Sequence, residues 1–199
     1  MKKQSKKPLK IGLTGGIGSG KTTISSIFQS LNIPVFNSDQ ISKHILQNNK
    51  NVIGSIVKEF GKNIIQDDQI NTSKLGQIVF SNKKKLEKLN NIIHPHVLNK
   101  FNEWIIDKDS KYIIKESAIL FESKTYQQLD KIIFVQSPLK TRIERTCKRD
   151  NRTKENVENI IKNQIQDSEA IKYADYIIKN NNKLLLPKII ELHEVLSNL

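Results

Sequence analysis

Residues 15–22 read GGIGSGKT and satisfy the spacing G-x-x-x-x-G-K-[ST] through Gly15, Gly20, Lys21 and Thr22. Each residue type in that pattern has a separate task. Glycines let successive backbone N–H groups close around phosphate oxygens, and a helix starting just after them adds the positive end of its dipole. A lysine at 21 spans the β- and γ-phosphates, and a threonine hydroxyl at 22 suits a Mg²⁺ ligand. Gly18, Ser19, Gly20, Lys21, Thr22 and Thr23 are the expected nucleotide contacts, Thr23 for a more distal phosphate. A glycine-rich turn with no ligand does not require Lys and Thr at those places.

The surrounding chain narrows the chemistry. No Gly has an Asp three residues before it and N-K-x-D is absent, which disfavours a GTPase switch. The run KIIFV ends in Gln136-Ser137 rather than an acidic pair, which disfavours a motor ATPase. A small kinase remains, and it must bind a second substrate and shield the transfer from water. Arg142, Arg145, Arg149 and Arg152 recur through LKTRIERTCKRDNR. Forked guanidinium groups of this kind stabilise a transferring phosphoryl group, whereas the bland reading is a solvated basic helix face. In IPVFNSDQ, Asp39 stands where an apolar run meets a helical pattern. It can cap that helix or serve as an active-site carboxylate; Ser38 can take the capping task and leave Asp39 free.

The elements that must position these residues follow from the apolar pattern. Runs rich in Ile and Val at 9–13, 33–36, 112–114, 131–135 and 176–178 suit a parallel sheet covered on both faces. Ile24, Ile27, Phe28 and Leu31 have helical spacing, as do Val52, Ile53, Ile56, Val57 and Phe60. Residues 40–108 read as helical with no strand, and two helices are expected to break at His94-Pro95. The expected organisation is a basic disordered tail at 1–7 and a core from 8–38, 109–140 and 174–199. A helical insert at 39–108 and a helical lid at 141–173 complete it.

Composition bounds the partners. With 37% hydrophobic and 27% charged residues the chain is an ordinary globular one. No apolar run approaches the roughly 20 residues needed to cross a bilayer, so no membrane partner is expected. The lysine-led start is too glycine-rich and too soon followed by Lys21 to be a secretory signal. Cys147 is the one cysteine, which excludes an internal disulfide and fits a cytoplasmic setting. Its place on the face of Leu139 and Ile143 makes it a core or near-core residue. The net charge of +13 is spread along the chain, without an arginine cluster interleaved by aromatics. No nucleic-acid partner is expected; an anionic small substrate or a bias toward Lys, Asn and Ile explains the charge. A monomer is the favoured assembly.

The chain resembles the dephospho-CoA kinases, which phosphorylate the 3′-hydroxyl of dephospho-CoA with ATP. LTGGIGSGKTT at 13–23, Asp39, LNNIIHPHV at 89–97 and ESAILFES at 116–123 carry the resemblance. RTCKRD at 145–150, Gln164 and ADYIIKN at 174–180 complete it, in the family order and over nearly the whole chain. The resemblance implies a P-loop kinase with a three-layer α/β/α core, a helical domain for the CoA moiety, a lid and Mg²⁺ with ATP. It implies catalytic roles for Asp39, Lys21 and Arg145, and lid contacts from Arg145 and Arg149. Acceptor contacts from Thr14, Asp39, His94 and Leu120, and Thr22 at the metal, follow from it as well.

Three positions depart from the family pattern. Many relatives read D-A-D where this chain has Asn37-Ser38-Asp39; Ala118 replaces a common proline, and Asn182 a common glycine. His94 is expected to shape an interhelical turn rather than to act in chemistry. Another small-molecule or nucleoside-monophosphate kinase on the same core stays open as an alternative, as does a nucleotide-gated nucleic-acid-binding module.

Overall fold

A computed structural model describes residues 7–181 and 183–199. Residues 1–6 of the expected tail, and Asn182, lie outside the described residues. The chain begins with β1 (Leu9–Thr14), α1 (Lys21–Ser30), β2 (Val35–Asn37), α2 (Ser38–Asn48) and α3 (Lys50–Phe60). It continues through β3 (Ile65–Gln66), β4 (Gln69–Ile70), α4 (Thr72–Phe80), α5 (Lys83–Ile105) and β5 (Tyr112–Glu116). The last elements are β6 (Lys131–Gln136), α6 (Leu139–Asp150), α7 (Lys154–Lys162), α8 (Asp167–Ala170), β7 (Tyr176–Lys179) and α9 (Leu186–Ser197). Contacts divide it into two compact units, Met1–Asn37 with Ile106–Leu199, and Ser38–Ile105.

The first unit is an α/β fold. Its five strands run in the order β2-β5-β1-β6-β7, and every pairing is parallel. Ile11, Leu13, Tyr112, Ile114, Ile133 and Val135 point to one face, where they pack against Ile24 and Phe28 of α1 and Ile189, Leu192 and Leu196 of α9. Ile132 and Phe134 point to the other face and pack with Leu120, Phe121 and Ala170. Both faces being covered explains why the strands read as continuous apolar runs rather than alternating ones. Register matters for the site, since Leu13 pairs with Glu116 on one side and with Ile133 on the other. The carboxyl ends of β1, β5 and β6 therefore emerge at one edge, where ligands of open parallel sheets bind.

The second unit is built on α5, against which α2, α3 and α4 pack. Asn49 and Asn71 cap α3 and α4, each side-chain oxygen accepting backbone N–H bonds in the first turn. Two expectations are corrected here. The helix does not break at His94-Pro95; α5 runs straight through Pro95. Leu89, Ile93, Val97 and Phe101 recur every four residues and are all buried, so one continuous helix keeps the stripe together. That burial outweighs the single backbone bond that proline removes. His94 accordingly sits within a helix and shapes no turn. The stretch is also not wholly helical, because β3 and β4 form a short antiparallel hairpin. Asp67 and Asp68 at its tip have φ of 50° and 58°, the left-handed pair that a two-residue hairpin turn needs.

One polar group in the sheet is costly. Lys115 on β5 is 2% exposed. Burial, with like-charge repulsion from Lys10 added, lowers its ammonium pKa to about 8. An unfolded chain binds that proton up to the ordinary lysine range, so the folded state gains as pH rises from about 8 to about 10.5. Relative to Lys115→Met, the wild-type protein should gain about 2 kcal/mol of unfolding free energy between pH 7 and pH 10. Urea unfolding of both proteins across that range checks this; a difference that does not change with pH refutes it.

Candidate active site

The loop between β1 and α1 forms the site. Gly20 ends it in the left-handed region, φ 97° and ψ 22°, directly before Lys21 opens the helix. A Cβ there would lie 2.2 Å from Asn180 Nδ2 and 3.9 Å from Arg145 Nη1, so backbone conformation and close neighbours both demand glycine. Within the loop, Ser19 N donates to Gly16 O at 3.1 Å. Lys21 Nζ donates to Gly15 O at 2.9 Å and Gly16 O at 3.4 Å, which keeps the ammonium inside the turn although the residue is largely buried. Thr22 and Thr23 are exposed on the first turn of α1, and Thr14 is buried at the end of β1.

Beside the loop, one carboxylate gathers three donors. Ser25 Oγ donates to Glu116 Oε2 at 2.7 Å, Asn37 Nδ2 to the same oxygen at 3.1 Å, and Thr22 Oγ1 to Oε1 at 3.3 Å. The three come from α1 and β2, while Glu116 ends β5. Sequence reading gave Glu116 no role of its own, only a place at the start of ESAILFES. The signal that finds it is an acid closing an apolar strand that pairs with the strand before a phosphate loop. The contact also accounts for Asn37: an amide donates to a carboxylate, whereas an aspartate there would set two carboxylates about 3 Å apart. Thr22 and Glu116 together offer hard oxygen donors of the kind that suit a divalent cation bound with phosphates. Among the described residues no three His, Cys, Asp or Glu side chains gather as a metal cage.

The arginines of α6 have separate fates. Arg145 is half-buried and its guanidinium faces Gly20. Arg149, 60% exposed, engages Asp150 with both arms of its fork, Nε to Oδ1 at 2.7 Å and Nη2 to Oδ2 at 2.8 Å. Arg142 is 6% exposed and bonded into the fold, to Ile17 O at 3.1 Å and Asp167 Oδ1 at 3.1 Å. It holds structure and is not free to sweep over a phosphate. Burial pushes its guanidinium pKa down and Asp167 works against that shift. Cys147 on the same helix is half-buried.

Other expected residues are placed as follows. Leu120 is fully buried in the cluster with Phe121, Ile132 and Phe134, so its side chain serves the core and any acceptor contact there falls to the backbone. Asp39 lies in the first turn of α2, two residues beyond Asn37, and His94 lies on α5, both in the second unit. Ser38 does not cap α2 as expected. It is the first helical residue, and its buried Oγ has no hydrogen-bond partner among the described residues. Residues that sequence reading assigned no role include Asn180, whose Nδ2 donates to Ser19 O at 2.8 Å, and Asp167.

Comparison with known proteins converges on one family. The family model described as dephospho-CoA kinase matches residues 9–185. A dephospho-CoA kinase of Fusobacterium nucleatum is 43% identical over 175 residues, covering 87% of this chain and 90% of that protein. The solved dephospho-CoA kinase from Campylobacter jejuni superposes with a TM-score of 0.68 at 31% identity, over 95% of this chain and 97% of that one. A Thermus thermophilus crystal structure gives 0.82 at 26% identity, over 98% and 99%. The chain belongs to the dephospho-CoA kinase family, ATP-dependent phosphotransferases that convert dephospho-CoA to coenzyme A.

Proposed function

We propose that this chain transfers the γ-phosphoryl group of ATP to the 3′-hydroxyl of dephospho-CoA. The observation that carries the reading is the grouping of Lys21, Arg145 and the Thr22–Glu116 pair around one loop at the carboxyl edge of the sheet. Lys21 and Arg145 neutralise charge on the transferring group, and the backbone from Gly18 to Thr23 holds the remaining phosphate oxygens. The acceptor oxygen forms a bond to the γ-phosphorus as the bond to the β–γ bridging oxygen breaks and ADP leaves. Asp39 takes the hydroxyl proton; its support is its place in the chain, two residues beyond the Asn37 that holds Glu116. A loose transition state lets go of the proton late, so the step does not call for a strong base.

Thr22 through its hydroxyl and Glu116 through its carboxylate would hold the Mg²⁺ that accompanies ATP, and the ion would neutralise phosphate charge. Arg149 reaches the phosphoryl group only by exchanging Asp150 for it, and is the more peripheral of the two lid arginines. Thr14, the backbone around Leu120 and His94 serve the acceptor. The core, acceptor insert and lid expected along the chain carry these tasks in a monomer working in the cytoplasm.

Three experiments test this. With ATP and a panel of acceptors, ADP should be released with dephospho-CoA and not with nucleoside monophosphates; the reverse pattern refutes the assignment. Asp39→Asn should lower kcat by about 10²- to 10⁴-fold with the KM for ATP little changed. Near wild-type turnover would remove Asp39 from the chemistry. Glu116→Gln keeps the shape and drops the charge. It should weaken ATP binding about tenfold in Mg²⁺, and by no more than about twofold in EDTA, by titration calorimetry. Equal loss in both conditions would make Glu116 a purely structural residue.

A further inference from the structure

The phosphate loop is gripped from outside as well as folded from within. Arg142 lies flat against it: a Cβ on Gly16 would sit 1.7 Å from Arg142 Nη2 and 2.2 Å from its Cζ. Arg142 Nε donates to Ile17 O at 3.1 Å, while Ile17 N donates to Gln164 Oε1 at 2.9 Å. Both backbone groups of Ile17 are thus held by side chains more than a hundred residues away. Gln164 uses its other end as well, Nε2 donating to Ala118 O at 3.1 Å. Arg142 Nη2 approaches Gln164 Oε1 at 3.5 Å, and Asp167 anchors Nη1. The space among Gly15, Gly16, Ala118, Glu122 and Gln164 amounts to about 10 Å³, room for one water at most. The packing leaves little freedom for the loop and the 116–123 segment to move independently.

We infer that Gln164 is a positioning residue whose one amide couples the phosphate loop to the acceptor segment, its oxygen setting the loop at Ile17 and its nitrogen setting the segment at Ala118. The side chain touches no reacting atom. It acts through two backbones, and holding both at once takes an acceptor for Ile17 N–H and a donor for Ala118 O, which the glutamine amide carries on one rigid plane. The acceptor half rests on the reading of residues 116–123 as part of the acceptor site.

The chemistry of the two ends gives a separable test. Gln164→Ala removes both bonds and should raise the KM for ATP and for dephospho-CoA at least about fivefold each. Gln164→Glu keeps an acceptor for Ile17 N–H but turns a second carboxylate oxygen on Ala118 O. It should bring the ATP KM back to within about twofold of wild type while the dephospho-CoA KM stays raised. A merely structural glutamine would lower the melting temperature in both variants without that split. Both KM values unchanged in Gln164→Ala overturns the inference, as does a dephospho-CoA KM unmoved in both variants. Ile119→Ala, on the same segment and bonded to neither end of Gln164, separates the causes. If it raises the acceptor KM while both Gln164 variants leave it alone, the coupling is wrong. If it too leaves the acceptor KM unchanged, the reading of 116–123 as an acceptor segment has failed, and the acceptor half with it. Should Gln164→Ala not fold by circular dichroism, Gln164→Glu decides: a raised dephospho-CoA KM with wild-type ATP KM supports the inference, the opposite pattern overturns it.

Discussion

Parallel pairing of β1 with β5 in one register is the constraint on which the site depends. Because Leu13 sits opposite Glu116, the phosphate loop leaves β1 at the level where β5 ends in its carboxylate. A shift of one residue would turn Glu116 to the opposite face of the sheet and away from Thr22 and Ser25. The register is strongly specified because Ile11, Leu13, Tyr112 and Ile114 must share the face that packs on α1 and α9. The same core that stabilises the sheet therefore places Lys21, Thr22 and Glu116 together, without a separate device for alignment.

Around that edge the molecule concentrates groups that a core alone would not choose. Ser19, Lys21, Ser25, Glu116, Ser117, Ser137, Arg142 and Asn180 are all buried. Most of those whose contacts are described bond into a loop that glycines leave conformationally loose. Glycines cost backbone entropy and supply no side-chain packing, so a loop of this composition needs partners from outside to hold one shape. Arg142, Gln164 and Asn180 supply them from α6, the turn after α7 and the end of β7. The region after β6 thus supports the loop between β1 and α1 from outside.

Much of this was legible in the chain. The five strand runs, the phosphate loop and the helix after it follow local rules of periodicity and spacing, and they hold in the structure. Pro95 misled because a local rule about proline competed with a four-residue apolar stripe extending on both sides of it, and tertiary burial won. The hairpin at Asp67-Asp68 was hidden because its turn lacks the glycine that usually marks one. Arg142 was grouped with Arg145 and Arg149 because spacing along a helix does not say which guanidinium faces a neighbour and which faces water.

By itself the sequence determined that a phosphate loop follows a buried strand, that the chemistry is phosphoryl transfer, and that an acid waits at residue 39. Those properties reside in short stretches whose residue types are dictated by backbone conformation and ligand chemistry. Only the tertiary structure decided that Glu116 answers Thr22, that the Asn37 amide donates to the same carboxylate, and that Gln164 holds two backbones with one side chain. These contacts join residues 46 to 147 positions apart. Side-chain pairs at such separations leave no periodic trace in the chain and are set by the register of the sheet and the packing on its faces.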